Sequence, residues 1–157
     1  MRNKVLDNPG SRWLVVGGWL SLLASLLHIA CMIGGPDWFR FFGAGEPMAQ
    51  AVERGEWQPY LMTSAIVVVL GLWGAYAFSA AGKIARLPLI RTALVIISLI
   101  YLARGCILLP LAIAKPHLLA DPFVIWSSLI VAIYGLMYAV GTWRAWPLLR
   151  PSSHRHS

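Results

Sequence analysis

Charge is scarce in this chain. Aspartate and glutamate number six in 157 residues, and charged residues make up only 12% of the sequence, roughly half the share usual for a soluble domain. Hydrophobic residues make up 59%, and the mean hydropathy is +0.69. A water-surrounded fold of this length would need far more polar surface, so a lipid environment is the natural reading. There are only two cysteines, Cys31 and Cys106, and they form no Cys-x-x-Cys pair. That absence excludes a dithiol redox motif. No glycine-rich phosphate loop, no cluster of metal-ligand spacing and no Ser-His-Asp grouping is legible. Hence no catalytic residue, metal or cofactor is assigned. Linkers, low-complexity tracts and internal repeats are also lacking, so residues 1–157 are expected to form a single transmembrane domain.

What is present is apolar length. Four stretches, about 13–33, 60–81, 92–112 and 122–143, are each long enough to cross a hydrocarbon core of about 30 Å at roughly 1.5 Å per residue. The expected fold is all-α: a polytopic, four-transmembrane-helix antiparallel bundle with a short amphipathic outer loop at 34–59. A cleavable signal peptide is the competing reading of the first stretch. That stretch exceeds the usual h-region of about 7 to 15 residues. His28 also stands where an aliphatic residue is usual in a lipoprotein processing site ending at Cys31, so the segment is expected to remain as a span.

The formal net charge of +7 could suit nucleic acid, but its distribution points to a membrane instead. Arg2, Lys4 and Arg12 precede the first span, Lys83, Arg86 and Arg91 fill the turn between the second and third, and Arg144, Arg150 and Arg155 follow the fourth. The 34–59 loop carries Asp37, Glu46, Glu53 and Glu56 against Arg40 and Arg54, and the loop near Lys115 and Asp121 is balanced. Basic residues flanking spans stay in the cytoplasm. Both termini are therefore expected inside a bacterial inner membrane, with the less basic loops outside. An even number of spans requires the same.

Tryptophan and small residues describe the packing. Trp13, Trp38, Trp57, Tyr60, Trp126, Trp143 and Trp146 fall near the expected interfaces, where an indole keeps its ring apolar and its N–H wet. Small residues recur four apart at Ser21 and Ser25, Gly71 and Ala75, Ala77 and Ala81, and Gly135 and Ala139. This spacing puts each pair on one helical face and lets backbones approach. The turn from Lys83 to Arg91 is too short to cross the membrane, so the spans it joins should be neighbours. In the outer loop, Asp37 is expected to cap one interfacial helical turn. Glu46 is expected to cap a second short helix with Pro47 at its first position, Met48 and Val52 on its apolar side, and Gly55 ending it.

Polar groups inside the spans mark the candidate site. Arg104 lies in the outer half of the third span, where it can snorkel, pair with Asp37, Glu46 or Asp121, or face a ligand. His28 is in the outer half of the first span. A membrane haem usually needs two axial ligands, and the remaining outer histidine, His117, sits in a proline-flanked loop, so a local hydrogen bond is the simpler expectation for His28. Cys31 and Cys106 also map outward, where oxidation is allowed; buried free thiols are the expectation, with a helix-to-helix disulfide and catalytic exchange as the alternatives. Ser127, Tyr134 and Tyr138 share a face, where hydroxyls bond a carbonyl one turn back or a neighbouring helix. Candidate binding residues are thus His28, Asp37, Arg40, Glu46, Arg104, Trp126 and Ser127. Inner halves nearly free of ionisable groups argue against a proton or ion path.

The wording from His28 to Glu46 (His-Ile-Ala, then Gly-Gly-Pro-Asp-Trp-Phe-Arg-Phe-Phe-Gly-Ala-Gly-Glu), with Arg-Leu-Pro-Leu-Ile-Arg at 86–91, resembles a group of small bacterial inner-membrane proteins. Their four-helix organisation is similar to that of DoxX-like proteins. The resemblance implies an inner-membrane location and no catalytic residues. Three functional expectations follow. One is a small-molecule or lipid-binding protein, or accessory subunit, with a polar pocket toward the outer leaflet for a lipid or quinone-like ligand. Another is a structural partner in a homo- or hetero-oligomer. The third is a membrane redox or lipid-modifying enzyme. Beyond these, the lipid bilayer is the expected partner and nucleic acid is not.

Overall fold

The computed structural model describes residues 8–107, 110, 113–114 and 122–149. Six α-helices and one 3₁₀ turn have both ends among these residues, residues 110, 113 and 114 are also helical, and none of the described residues is in a strand. They are α1 (Ser11–Gly34), α2 (Pro36–Phe41), α3 (Glu46–Glu53), α4 (Gln58–Ala80), α5 (Ile90–Gly105) and α6 (Pro122–Ala145), followed by the 3₁₀ turn Trp146–Leu149. Three of them, α1, α4 and α6 extended by the 3₁₀ turn, are long and apolar enough to cross a membrane. The third expected span, 92–112, is described as the 16-residue α5, which at about 1.5 Å per residue reaches roughly 24 Å. Much of the rest of that stretch lies outside the described residues, as do His117, Asp121 and the tail histidines.

The long helices alternate in direction, and their end contacts prove it. At one end, here called the base, Asn8 Nδ2 donates to the Ala80 carbonyl at 3.1 Å and Ser11 Oγ to the Ala81 carbonyl at 3.3 Å. These bonds join the start of α1 to the end of α4 and satisfy carbonyls that no helical N–H reaches. Arg91 at the start of α5 donates to the Trp146 carbonyl at 2.7 Å and lies over the Trp146 ring, 4.5 Å from its centroid. The opposite end is covered by α2 and α3, the lid.

Pairing within the shaft is unequal. The most extensive contacts are α1 on α4 and α5 on α6, with α1 on α6 joining the two pairs. The sequential neighbours α4 and α5 do touch, but over a smaller area, with the Trp73 and Tyr101 rings edge to face at 4.8 Å. Glycine lets α5 and α6 approach closely: a Cβ on Gly105 would lie 2.6 Å from Ala132 Cα. Among the expected small-residue pairs, Ala77 and Ala81 are fully buried, and Ser21 and Ser25 are buried. Gly71 is different. Nothing lies within 4 Å of where its Cβ would be, so that position is no helix seam.

The base turn between α4 and α5 is pinned by one side chain. Ser79 Oγ donates to the Ala85 carbonyl and accepts from the Leu87 N–H, both at 2.9 Å. Large aliphatic and aromatic side chains such as Trp19, Leu23, Leu61 and Leu99 are left exposed on the shaft. That pattern suits an exterior solvated by lipid tails.

Candidate functional site

The lid is built around Arg40. Its Nε donates to Glu46 at 2.9 Å, a terminal nitrogen meets Glu53 at 2.8 Å, and the other reaches Asp37 at 3.3 Å. One guanidinium therefore ties α2 to α3 through Glu46 and Glu53, while its bond to Asp37 stays within α2. The hydrogen bonds to Glu46 and Glu53 hold Arg40 more firmly protonated than usual, and the Arg40 hydrogen bond lowers the Glu46 carboxyl below its ordinary range. Gln50 supports the same Glu46 at 3.2 Å. Under the ion pairs, Phe39, Ala49 and Val52 form a small buried core against Met32 and Met48, so the expected apolar side of α3 is the one that packs.

The caps differ from expectation. Asp37 does not cap α2: Gly35 occupies the cap with φ 71°, Pro36 opens the helix, and Asp37 follows in the first turn. Likewise Gly45, at φ 91°, precedes α3, leaving Glu46 as its first residue. The reason is that both carboxylates turn toward Arg40, a charged partner stronger than a backbone N–H. Gly55 does end α3. At φ 74° it lets its own N–H reach the Val52 carbonyl at 3.0 Å and the Glu56 N–H reach the Ala51 carbonyl at 3.0 Å, the paired bonds of a Schellman stop. Gly43 fastens the lid to the shaft. A Cβ there would lie 2.2 Å from Phe123 at the start of α6.

The other candidates do not join this cluster. His28 Nδ1 is 2.7 Å from its own Ala24 carbonyl, the local bond expected of a lone membrane histidine. Arg104 lies thirteen residues beyond Arg91, about 20 Å along α5. It is exposed, and a terminal nitrogen donates to Ser128 Oγ at 3.0 Å. Ser128, rather than the expected Ser127, is thus the hydroxyl it meets. Ser127 bonds locally to the Val124 carbonyl at 3.3 Å, and Trp126 is 65% exposed. Arg104 forms no ion pair with Asp37 or Glu46, both of which Arg40 holds. Cys31 is buried but Cys106 is exposed, which corrects the expectation of two buried thiols; both are free.

A polar centre less legible in the sequence lies in the middle of the shaft. Ser21 Oγ is 2.9 Å from Tyr101 Oη and 2.8 Å from Tyr138 Oη, and Tyr138 Oη donates to the Trp73 carbonyl at 3.0 Å. Each hydroxyl has one proton to give, so the order is forced. Tyr101 donates to Ser21, Ser21 to Tyr138, and Tyr138 to the carbonyl. The chain runs from α5 through α1 and α6 to α4, and Tyr134 packs on Tyr101 with ring centroids 5.6 Å apart. Every member is neutral and internally partnered, so it fastens helices rather than opening a polar path. The signal for it was faint but present: Tyr101 and Tyr138 are tyrosines far from either aromatic belt.

Three surface grooves stand out, and they do not lie under the lid. One of about 790 Å³ is at the base, between the start of α1 and the end of α6, with Arg12, Trp13 and Arg144 on its walls. Another, about 590 Å³, follows the base turn from Arg86 to Thr92. The third, about 510 Å³, runs between α5 and α6 past Ser98 and Thr142. The described residues include no group of three metal-ligating side chains. No known protein family, no curated protein and no solved structure matches the chain.

Proposed function

We propose that this chain is a four-span protein of a bacterial inner membrane, with both termini in the cytoplasm. In this reading it binds an amphiphile with an anionic or polar headgroup, a lipid or quinone-like molecule, on the outer side of the bilayer. The resemblance of the His28–Glu46 wording to small bacterial inner-membrane proteins, whose four-helix organisation is DoxX-like, is consistent with this setting. The single observation that carries the binding role is Arg104. It is exposed well along α5, and Ser128 engages one of its nitrogens among the described residues. A guanidinium offers five N–H donors, and a charge at such depth is costly unless acceptors surround it. A headgroup phosphate or carbonyl would supply them.

The same donors could instead meet a partner polypeptide, which makes an accessory subunit the second reading. Catalysis is less well supported. It would need His28, Arg104 and a carboxylate within about 3 Å of one another, whereas His28 bonds Ala24, Arg104 bonds Ser128 and the lid carboxylates bond Arg40 and Arg54.

Mass spectrometry of the detergent-extracted protein beside Arg104→Gln tests the proposal. A stoichiometric small amphiphile that the variant loses, at unchanged helicity, is the expected result. A second polypeptide in its place would favour the accessory reading, and neither species would overturn both. Thiol labelling of a cysteine engineered into the lid should succeed from outside the cell; labelling only after lysis would reverse the topology.

A further inference from the structure

We propose that the groove at the base, between α1 and α6, holds the headgroup of an anionic phospholipid from the leaflet at that end of the bundle. This site is separate from Arg104, which lies well along α5 toward the other face.

Charge carries the argument. Every described carboxylate (Asp37, Glu46, Glu53 and Glu56) belongs to the lid segment. The base carries Arg12, Lys83, Arg86, Arg91 and Arg144. Asp7, in the sequence just before α1, lies outside the described residues. Arg12 and Arg144 both line the groove, and Arg12 is exposed with no carboxylate partner among the described residues. Arg144 stacks on Trp13, its guanidinium carbon 5.5 Å from the ring centroid, which orients the plane and leaves its edge donors for an acceptor. A phosphodiester between two guanidiniums is a charge-assisted arrangement that planar arginine serves well.

Shape agrees with charge. A groove of about 790 Å³ is far larger than an inorganic anion needs and falls within the usual range for organic ligands. Val16 and Met137 continue the wall from the arginines toward the middle of the shaft, where the first acyl carbons would lie. Trp13 sits between the two zones, where an indole is at home.

The walls are already rigid. A Cβ on Gly10 would lie 2.2 Å from the Gly141 carbonyl oxygen, so α1 and α6 meet backbone to backbone beside the groove. Asn8 both accepts from the Gly10 N–H at 3.0 Å and donates to Ala80. Preformed walls lower the ordering cost of binding.

The test is a lipid titration of the full chain in detergent, followed by native mass spectrometry. Phosphatidylglycerol is compared with phosphatidylcholine of the same acyl chains. Phosphatidylglycerol should bind more tightly, and Arg12→Gln and Arg144→Gln should each weaken it about fivefold. Lys83→Gln, at the base but outside the groove, should leave it unchanged. Val16→Trp, on an exposed face, should block binding sterically while both arginines remain, with helicity checked by circular dichroism. Soluble glycerol phosphate should not compete; full competition would mean a free-anion site and overturn the lipid assignment. Equal binding of both lipids would overturn it as well. So would selectivity that survives loss of both arginines, or one that falls equally in Lys83→Gln. Arg104→Gln should leave this selectivity intact, so failure here is distinguishable from failure of the proposed outer site.

Discussion

The shaft and the lid are fastened by different chemistry. In the shaft, helices meet through glycine contacts and through a neutral chain of three hydroxyls ending on the Trp73 carbonyl. In the lid, two short helices are joined by Arg40 of the first and Glu46 and Glu53 of the second over a few apolar side chains. The difference follows from the solvent each region meets. Desolvating an ion pair within a bilayer costs several kcal/mol per ion, so neutral hydroxyls that satisfy one another are the economical device there. Where water reaches, ion pairs form without that penalty, but each is weak and screened by salt. Shaft and lid should therefore respond to different perturbations.

The strongest challenge to the shaft is Gly105→Val. Its new side chain would meet the Ala132 backbone, and overpacking of this kind costs about 1–3 kcal/mol. Reversible unfolding in mixed micelles should show the loss, with α5 and α6 separating first. Ser21→Ala comes next. It leaves the Tyr101 hydroxyl without its acceptor and removes the donor to Tyr138, at a cost of about 1–2 kcal/mol. The same assay measures it, and a wild-type midpoint would mean the hydroxyl chain does not fasten the bundle.

Acid should separate the regions in the other direction. Because Arg40 depresses the Glu46 pKa in the folded lid, its contribution is fully present above the ordinary carboxyl value of 4.5. It is lost as pH falls through the lowered folded value. Hydrogen-exchange protection of α2 and α3 amides should drop there, and with added salt at neutral pH, while shaft amides keep theirs. Equal loss in both would erase the distinction. The smallest effect belongs to Gly71→Ala. Its Cβ would meet nothing within 4 Å, so the unfolding midpoint should hold or rise slightly, as helix propensity favours alanine.

The sequence made the helical shaft legible because apolar length is a signal that survives without knowledge of partners. Gly55 as a helix stop and Val52 as a packed residue were legible for the same reason, since both depend on local geometry. The partners of the charged groups were not. Asp37 and Glu46 looked like caps because capping is a local rule, but Arg40 takes both, Asp37 from three residues along the same helix and Glu46 from the neighbouring one. Ser21 looked like a small packing residue because its two tyrosine partners are 80 and 117 positions away. Gly71 and Ala75 have the same spacing as real seams, and spacing alone cannot say which face meets a neighbour. Arg12 and Arg144 stood out only as topology markers, since their shared groove exists only once α1 and α6 have packed.

The hydroxyl chain can be completed only at the end of the protein's synthesis. Ser21 and Trp73 are synthesised early and Tyr101 later, but Tyr138, which accepts from Ser21 and closes onto Trp73, belongs to α6, the final long helix described. Until α6 inserts, the nascent chain exposes an incompletely bonded Ser21 within its spans. Ribosome stalling before α6 should therefore leave a chain that membrane quality-control proteases recognise, and completion of that helix should make the whole shaft resistant at once.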